Sequence, residues 1–138
     1  MTATTTPRDT PAMTAGVVSR KVAASTKILQ GTFVALNAAG YLVPMSAATT
    51  LIAQGRAEET VDNTAGAAGD LSCLVKPGIF RWANSASTDT ITIAELGDTA
   101  YGVDNQTVAK TDGSSARSAA GKIVDVDAQG VWVATSIL

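Results

Sequence analysis

The sequence predicts a mainly β fold. It reads as a small β-barrel or β-sandwich-like domain of short antiparallel strands, with one or two short helical turns and an extended N-terminal arm. Three observations carry this. From residue 31 onward, short runs of Val, Ile, Thr and Phe are separated by Gly, Asn and Asp at regular intervals. "GTFVALNAAGYLVPM" and "GKIVDVDAQGVWVATSIL" each place turn residues between two apolar stretches, as a hairpin requires. The 138 residues include 25 alanines and 19 threonines but only two each of Phe, Trp and Tyr. A core filled by small and β-branched side chains is thin, which suggests a protein stabilised in part by neighbouring subunits.

Residues 1–27, "MTATTTPRDTPAMTAGVVSRKVAASTK", are rich in Thr, Ala and Pro and show no sustained period. They read as an arm, with residues 28–138 as a single domain. Charge divides at the same place, +3 in the arm against −5 in the remainder. Arg8, Arg20, Lys21 and Lys27 are thus candidates for docking on another surface, with simple disorder as the alternative.

Within the domain, Phe33 to Leu36 form a strand, Asn37 to Gly40 a turn, and Tyr41 to Val43 the return strand that Pro44 ends. "LIAQGRAEETV" reads as another strand, and Gly66 to Asp70 as a flexible loop. In "LSCLVKPGIFRWANS", Phe80 and Trp82 fall on one face of an extended strand and Ile79 and Arg81 on the other. Bulk on both faces means either a central strand of a sandwich or cover by a partner. Phe80, Arg81 and Trp82 are accordingly subunit-contact candidates, with an ordinary core strand as the alternative. In "DTITIAELGDTAYGV", Ile91 and Ile93 alternate with Thr90 and Thr92, and "AELG" is a short helical turn stopped by Gly97. Ile123 to Val126 and Val131 to Val133 flank a turn over Asp127, Ala128, Gln129 and Gly130. "AYGVDNQTVAKT" is a polar connection in which Asp104 and Asn105 hydrogen-bond a turn, with contact to a neighbouring subunit left open.

Chemistry is hard to find. There is no histidine, the usual general base and zinc ligand. Cys73 is the only cysteine, so an intrachain disulfide is excluded, and its alternating surroundings favour a buried residue over a reactive thiol. "GSSARSAAGKI" fails as a phosphate loop, since Ala116 stands where a glycine belongs and Ile123 follows Lys122. Asp125 and Asp127 share a strand face but lack the further oxygen ligands of a calcium site. Glu58 and Glu59 point to opposite faces, and no Ser-x-x-Lys spacing occurs. An enzyme, a metal site and a bound cofactor are not expected. The net charge of −2 without a basic run argues against nucleic acid. No stretch approaches the ~18 apolar residues of a membrane span. The N-terminus lacks an apolar signal core, so a cytosolic origin is expected.

What remains is an interaction protein. The succession of a polar, Pro-containing arm, "GTFVALNAAGYLVP", "LIAQGRAEE", a Gly/Ala loop, "KPGIFRW", "LGDTAYGVDNQTVAKT" and "AGKIVDVDAQGVWV" resembles tailed-phage head decoration, or capsid cement, proteins. The resemblance spans roughly residues 28 to 135 and rests on spacing and turn residues. The phage lambda head decoration protein is more distantly similar, and the hairpin from Gly121 to Thr135 is where this chain departs from it. The resemblance implies a virion protein on the outer capsid surface, made in the host cytoplasm. Its partner would be the major capsid protein, whose neighbouring subunits it cements as a homotrimer, with a dimer also open. A carbohydrate- or receptor-binding β module is the competing class, using Trp82 with Arg81 and Asn84, or Trp132 with Asp125. A small hydrolase centred on Asp104 ranks last, for want of a partner base.

Overall fold

A computed structural model describes residues 2–13 and 16–137. Among these, the strands are β1 (Val18–Lys21), β2 (Thr26–Ile28), β3 (Phe33–Leu36), β4 (Leu42–Pro44), β5 (Ile52–Ala57) and β6 (Val61–Asn63). They continue with β7 (Ser72–Lys76), β8 (Gly78–Asn84), β9 (Thr99–Gly102), β10 (Thr107–Ala109), β11 (Ala119–Asp127) and β12 (Gly130–Thr135). Two 3₁₀ turns, Ser87–Asp89 and Ile93–Glu95, lie between β8 and β9. No described helix is long and apolar enough to cross a membrane.

The strands build two lobes. The first is a five-stranded sheet in the order β1-β7-β5-β3-β4, backed by the two-stranded ribbon β2-β6. The second is a closed five-stranded barrel in the order β10-β8-β12-β11-β9. Pairing is antiparallel except between β10 and β8, the parallel pair in the barrel.

Local chemistry fixes the two hairpins foreseen from sequence. Asn37 Oδ1 accepts the amides of Ala39 and Tyr41, both at 3.0 Å, which bends the chain between β3 and β4. Asp127 Oδ1 does the same for Gln129 and Gly130, at 2.8 and 3.0 Å, between β11 and β12. Gly130 is also required by space, because a Cβ there would stand 2.2 Å from the Trp82 carbonyl oxygen.

Elsewhere the structure corrects the sequence reading. The arm is shorter than residues 1–27; residues 1, 14 and 15 of that span lie outside the described residues. Val18 to Lys21 pair with Val75 to Ser72, and Thr26 to Ile28 pair with Asn63 to Val61. Val22 and Ile28 are fully buried, so the fold begins at Val18 and only residues 2–13 are exposed throughout. "LSCLVKPGIFRWANS" is two strands in different lobes, divided at Pro77, which has no amide to donate to a ladder. The alternation at residues 90–93 forms no strand. Ile91 is buried, its amide and carbonyl both taken by the Asn84 side chain at 2.9 and 2.8 Å, while Ile93 opens the second 3₁₀ turn and is 74% exposed. That 3₁₀ turn ends at Glu95, two residues before Gly97, whose φ of 88° carries the turn that follows.

Two apolar cores result. One fills the barrel and includes Phe33, Met45, Trp82, Ile91, Val108, Ile123, Val131 and Val133. The other lies on the far side of the first sheet and contains Val18, Val22, Ile28, Val34, Leu42, Ala57, Cys73 and Val75. Strand β3 serves both. Phe33 and Ala35 point into the barrel core, and Val34 points into the other, as strand alternation dictates.

Candidate interaction surface

The basic candidates do not form one patch. Arg8 lies in the exposed arm. Arg20 and Lys21 are on β1; the Arg20 Nε donates to Oε1 of Gln54 at 2.8 Å, and Gln54 is buried. That bond turns the guanidinium toward the sheet. Lys21 is exposed, and Lys27 sits on β2 directly across from Asp62. The Asp62 carboxyl is held below its ordinary value chiefly by the hydroxyl and amide of Thr64, with Lys27 contributing less.

Strand β8 separates its three candidates. Trp82 is a core residue, 6% exposed, stacked on Phe33 with ring centroids 4.7 Å apart. It is thus removed from the subunit-contact set, because barrel closure by β10 and β12 turns it inward. Its Nε1 has no hydrogen-bond partner among the described residues. Phe80 is half-buried on the same inner face and carries the Arg56 guanidinium 4.5 Å from its ring centre. Glu58 pairs with that guanidinium at 2.9 Å, while Glu59 accepts the Leu74 amide. Arg81 alone of the three is exposed.

Arg81 belongs to a cluster on the outer barrel wall. Register places it beside Trp132 of β12, with the guanidinium 5.5 Å from the indole centre. The Trp132 Nε1 donates to Asp127 Oδ2 at 2.9 Å, and Arg81 approaches the same oxygen at 3.9 Å. The indole N–H, first, and the backbone amides and Arg81 after it lower the Asp127 carboxyl from its ordinary value. Asp125 instead accepts the amide of Val126 at 2.8 Å. The two aspartates therefore serve different partners. Asn84 is likewise committed to Ile91.

The polar connection between β9 and β10 is a structural device with two anchors. Asp104 Oδ1 accepts the Gln106 amide at 2.9 Å and closes the turn. The Asn105 carbonyl takes the Phe33 amide at 2.8 Å, and the Gln106 carbonyl takes the Ala83 amide at 2.7 Å. Asn105 thus acts through its backbone, tying the sheet lobe to the barrel. The loop from Lys110 to Ser118 is held by Arg117, which donates to Asp89 at 3.2 Å and to the Thr111 carbonyl at 3.1 Å. Cys73 is fully buried, and burial pushes its thiol up to about 11, so it stays protonated.

Sequence reasoning missed a concavity between the lobes. A groove of about 530 Å³ opens where the lobes meet, with Met13, Val18, Ile79, Ala134, Thr135 and Ile137 among its lining residues. Ile79 is 53% exposed and Met13 84% exposed. The buried Thr135 hydroxyl is occupied by the Ala120 carbonyl at 2.9 Å, so this side chain offers the groove its methyl group. A second depression over Leu51, Ile52 and Ala53 adjoins it at Thr135, and Ile52 is 62% exposed. Three segments distant in sequence build the groove, so no local pattern announces it.

Comparison with family models, with curated proteins and with solved structures gives no match to this chain.

Proposed function

We propose that the protein is a structural virion protein that binds the outer surface of a tailed-phage capsid and cements neighbouring major capsid subunits. The observation that carries this reading is the open apolar groove at the root of an exposed arm, on a body whose polar clusters are committed to holding turns. Such a surface offers contact area without chemistry, and contact area is what a cement must add at each capsid site. The succession of elements that resembles capsid cement proteins supports the same reading. Arg8 of the arm and the exposed Arg81 are its capsid-contact candidates, while the groove is a means of linking copies to one another. In this reading the assembled form is a homotrimer, with a dimer as the alternative, and neither a cofactor nor catalysis is involved.

The test is co-sedimentation with expanded heads of the phage that encodes the chain, using heads stripped of the protein. Saturable binding and a higher rupture temperature are the expected result. Absence of the protein from purified heads, together with no binding, would overturn the reading. Removal of residues 2–12 is the informative truncation, since a cut at residue 20 would also delete most of β1.

The Arg81–Trp132–Asp127 cluster favours one second reading, a carbohydrate-binding module. Aromatic, cationic and carboxylate groups on one exposed wall are the chemistry of sugar recognition. Binding on a glycan array that Trp132→Ala abolishes would replace the capsid reading.

A further inference from the structure

We infer that the groove between the lobes receives the N-terminal arm of a second copy of this chain, so that copies are tied together by exchanged arms. The groove is apolar and open, and its volume of about 530 Å³ lies in the range of sites that enclose a ligand, roughly 300–1,000 Å³. Its walls include Val18 and Ile79, and Met13, the last described residue before the arm's root, stands on its lip. Residues 2–13 are all exposed, and Met13 is 84% exposed although it borders an apolar surface. The chain's own arm therefore leaves the groove unfilled.

The arm is suited to a neighbour's groove. Pro7 and Pro11 fix their own φ and push Thr6 and Thr10 toward extended conformations, so little conformational freedom is lost on docking. Fully extended, residues 2–12 span about 36–40 Å at ~3.3–3.6 Å per residue. A chain of this length has a radius of gyration of about 14 Å, so the arm crosses to an adjacent body. Pro7, Pro11 and Ala12 supply small apolar surface along the arm. Because donor root and acceptor groove are contiguous, every copy both gives and receives an arm. The exchange then closes a ring of two or three copies and leaves no groove empty.

The experiment uses the free protein, without capsids, so its failure is separate from failure of the capsid reading. In a Cys73→Ser background, one tagged chain carries Thr6→Cys and a second, differently tagged chain carries Ile79→Cys. The two are unfolded together, refolded and oxidised. Exchange predicts a disulfide between the two kinds of chain, and a solution mass of two or three chains at tens of micromolar. Removing residues 2–12, or Ile79→Asp, shifts that mass to one chain while the circular dichroism of the folded body persists. A one-chain mass for the full protein overturns the inference. So does a double variant that forms only an intrachain bond, which would make the arm its own groove's occupant.

Discussion

The two lobes are made from similar short strands, yet they bury different things. The barrel core has Trp82 stacked on Phe33, with Phe80 packed against its rim, and its sheet is closed. The other core is aliphatic apart from Cys73, and its sheet ends in β1 and β4, with an isolated bridge from Val22, just past β1, to Leu42. Aromatic burial and closure let the barrel satisfy itself. The sheet lobe lacks both, and it carries exposed Ile52, Leu71 and Leu74 together with the root of the arm. The barrel lobe nevertheless leaves Ile79, Ile93 and Val124 exposed, so the contrast between the lobes lies in what they bury and in whether the sheet closes.

The sharpest way to break this contrast is Trp82→Ala. Loss of a buried aromatic is expected to cost about 3–5 kcal/mol, measured by urea unfolding. Trp82→Phe should cost clearly less, because it also removes an indole N–H that has no partner among the described residues. Both variants should unfold in one transition, since β3 sends side chains into both cores; two separated calorimetric transitions would show the lobes to be independent.

Gly55→Ala probes the sheet lobe. Its φ is 115° and a new Cβ would lie 2.3 Å from the Lys76 carbonyl oxygen, so about 1–3 kcal/mol should be lost. An unchanged melting temperature would mean that β5 and β7 separate easily there.

Acid should act on the barrel through a smaller effect. Glu95 accepts from the backbone and hydroxyl of Thr92 and pairs with Lys110 at 3.1 Å, which lowers its carboxyl from 4.5 to about 2. Its stabilisation is present above pH 4.5 and is lost as pH falls through about 2. In melting temperature, Glu95→Gln should lie below the parent at pH 6, with the gap closing between about pH 4.5 and 2. A constant gap would contradict this.

Least is expected of Asp127→Asn, because the carboxylate is half-exposed and its ion pair with Arg81 is long. Its melting temperature should move less than that of any of the other variants. The fluorescence of Trp132 should nonetheless change as its acceptor loses charge.

The hairpins were legible because Asn37 and Asp127 write their turns into the sequence by side-chain capping. The closing strands of the barrel were legible for the same reason. Strand β1 was not, since "VSRK" has no apolar alternation and becomes a strand only by pairing with β7. Ile91 and Ile93 imitated a strand because one is a core residue and the other opens an exposed turn. Placing Trp82 inside and Arg81 outside required knowing that the sheet closes. The groove required knowing that Met13, Gly16 and Val18 meet residues 77–79 and 134–137.

The double duty of β3 also sets an order in time. Phe33 leaves the ribosome with the first hairpin, but its stacking partner and the walls that enclose it belong to β8 through β12. The sheet can assemble once β7 is made, and it must then hold an uncovered apolar face until the last strand has been synthesised. A nascent chain halted before Gly130 would leave Phe33 and Ala35 without Val131 and Val133 of β12, which share their core.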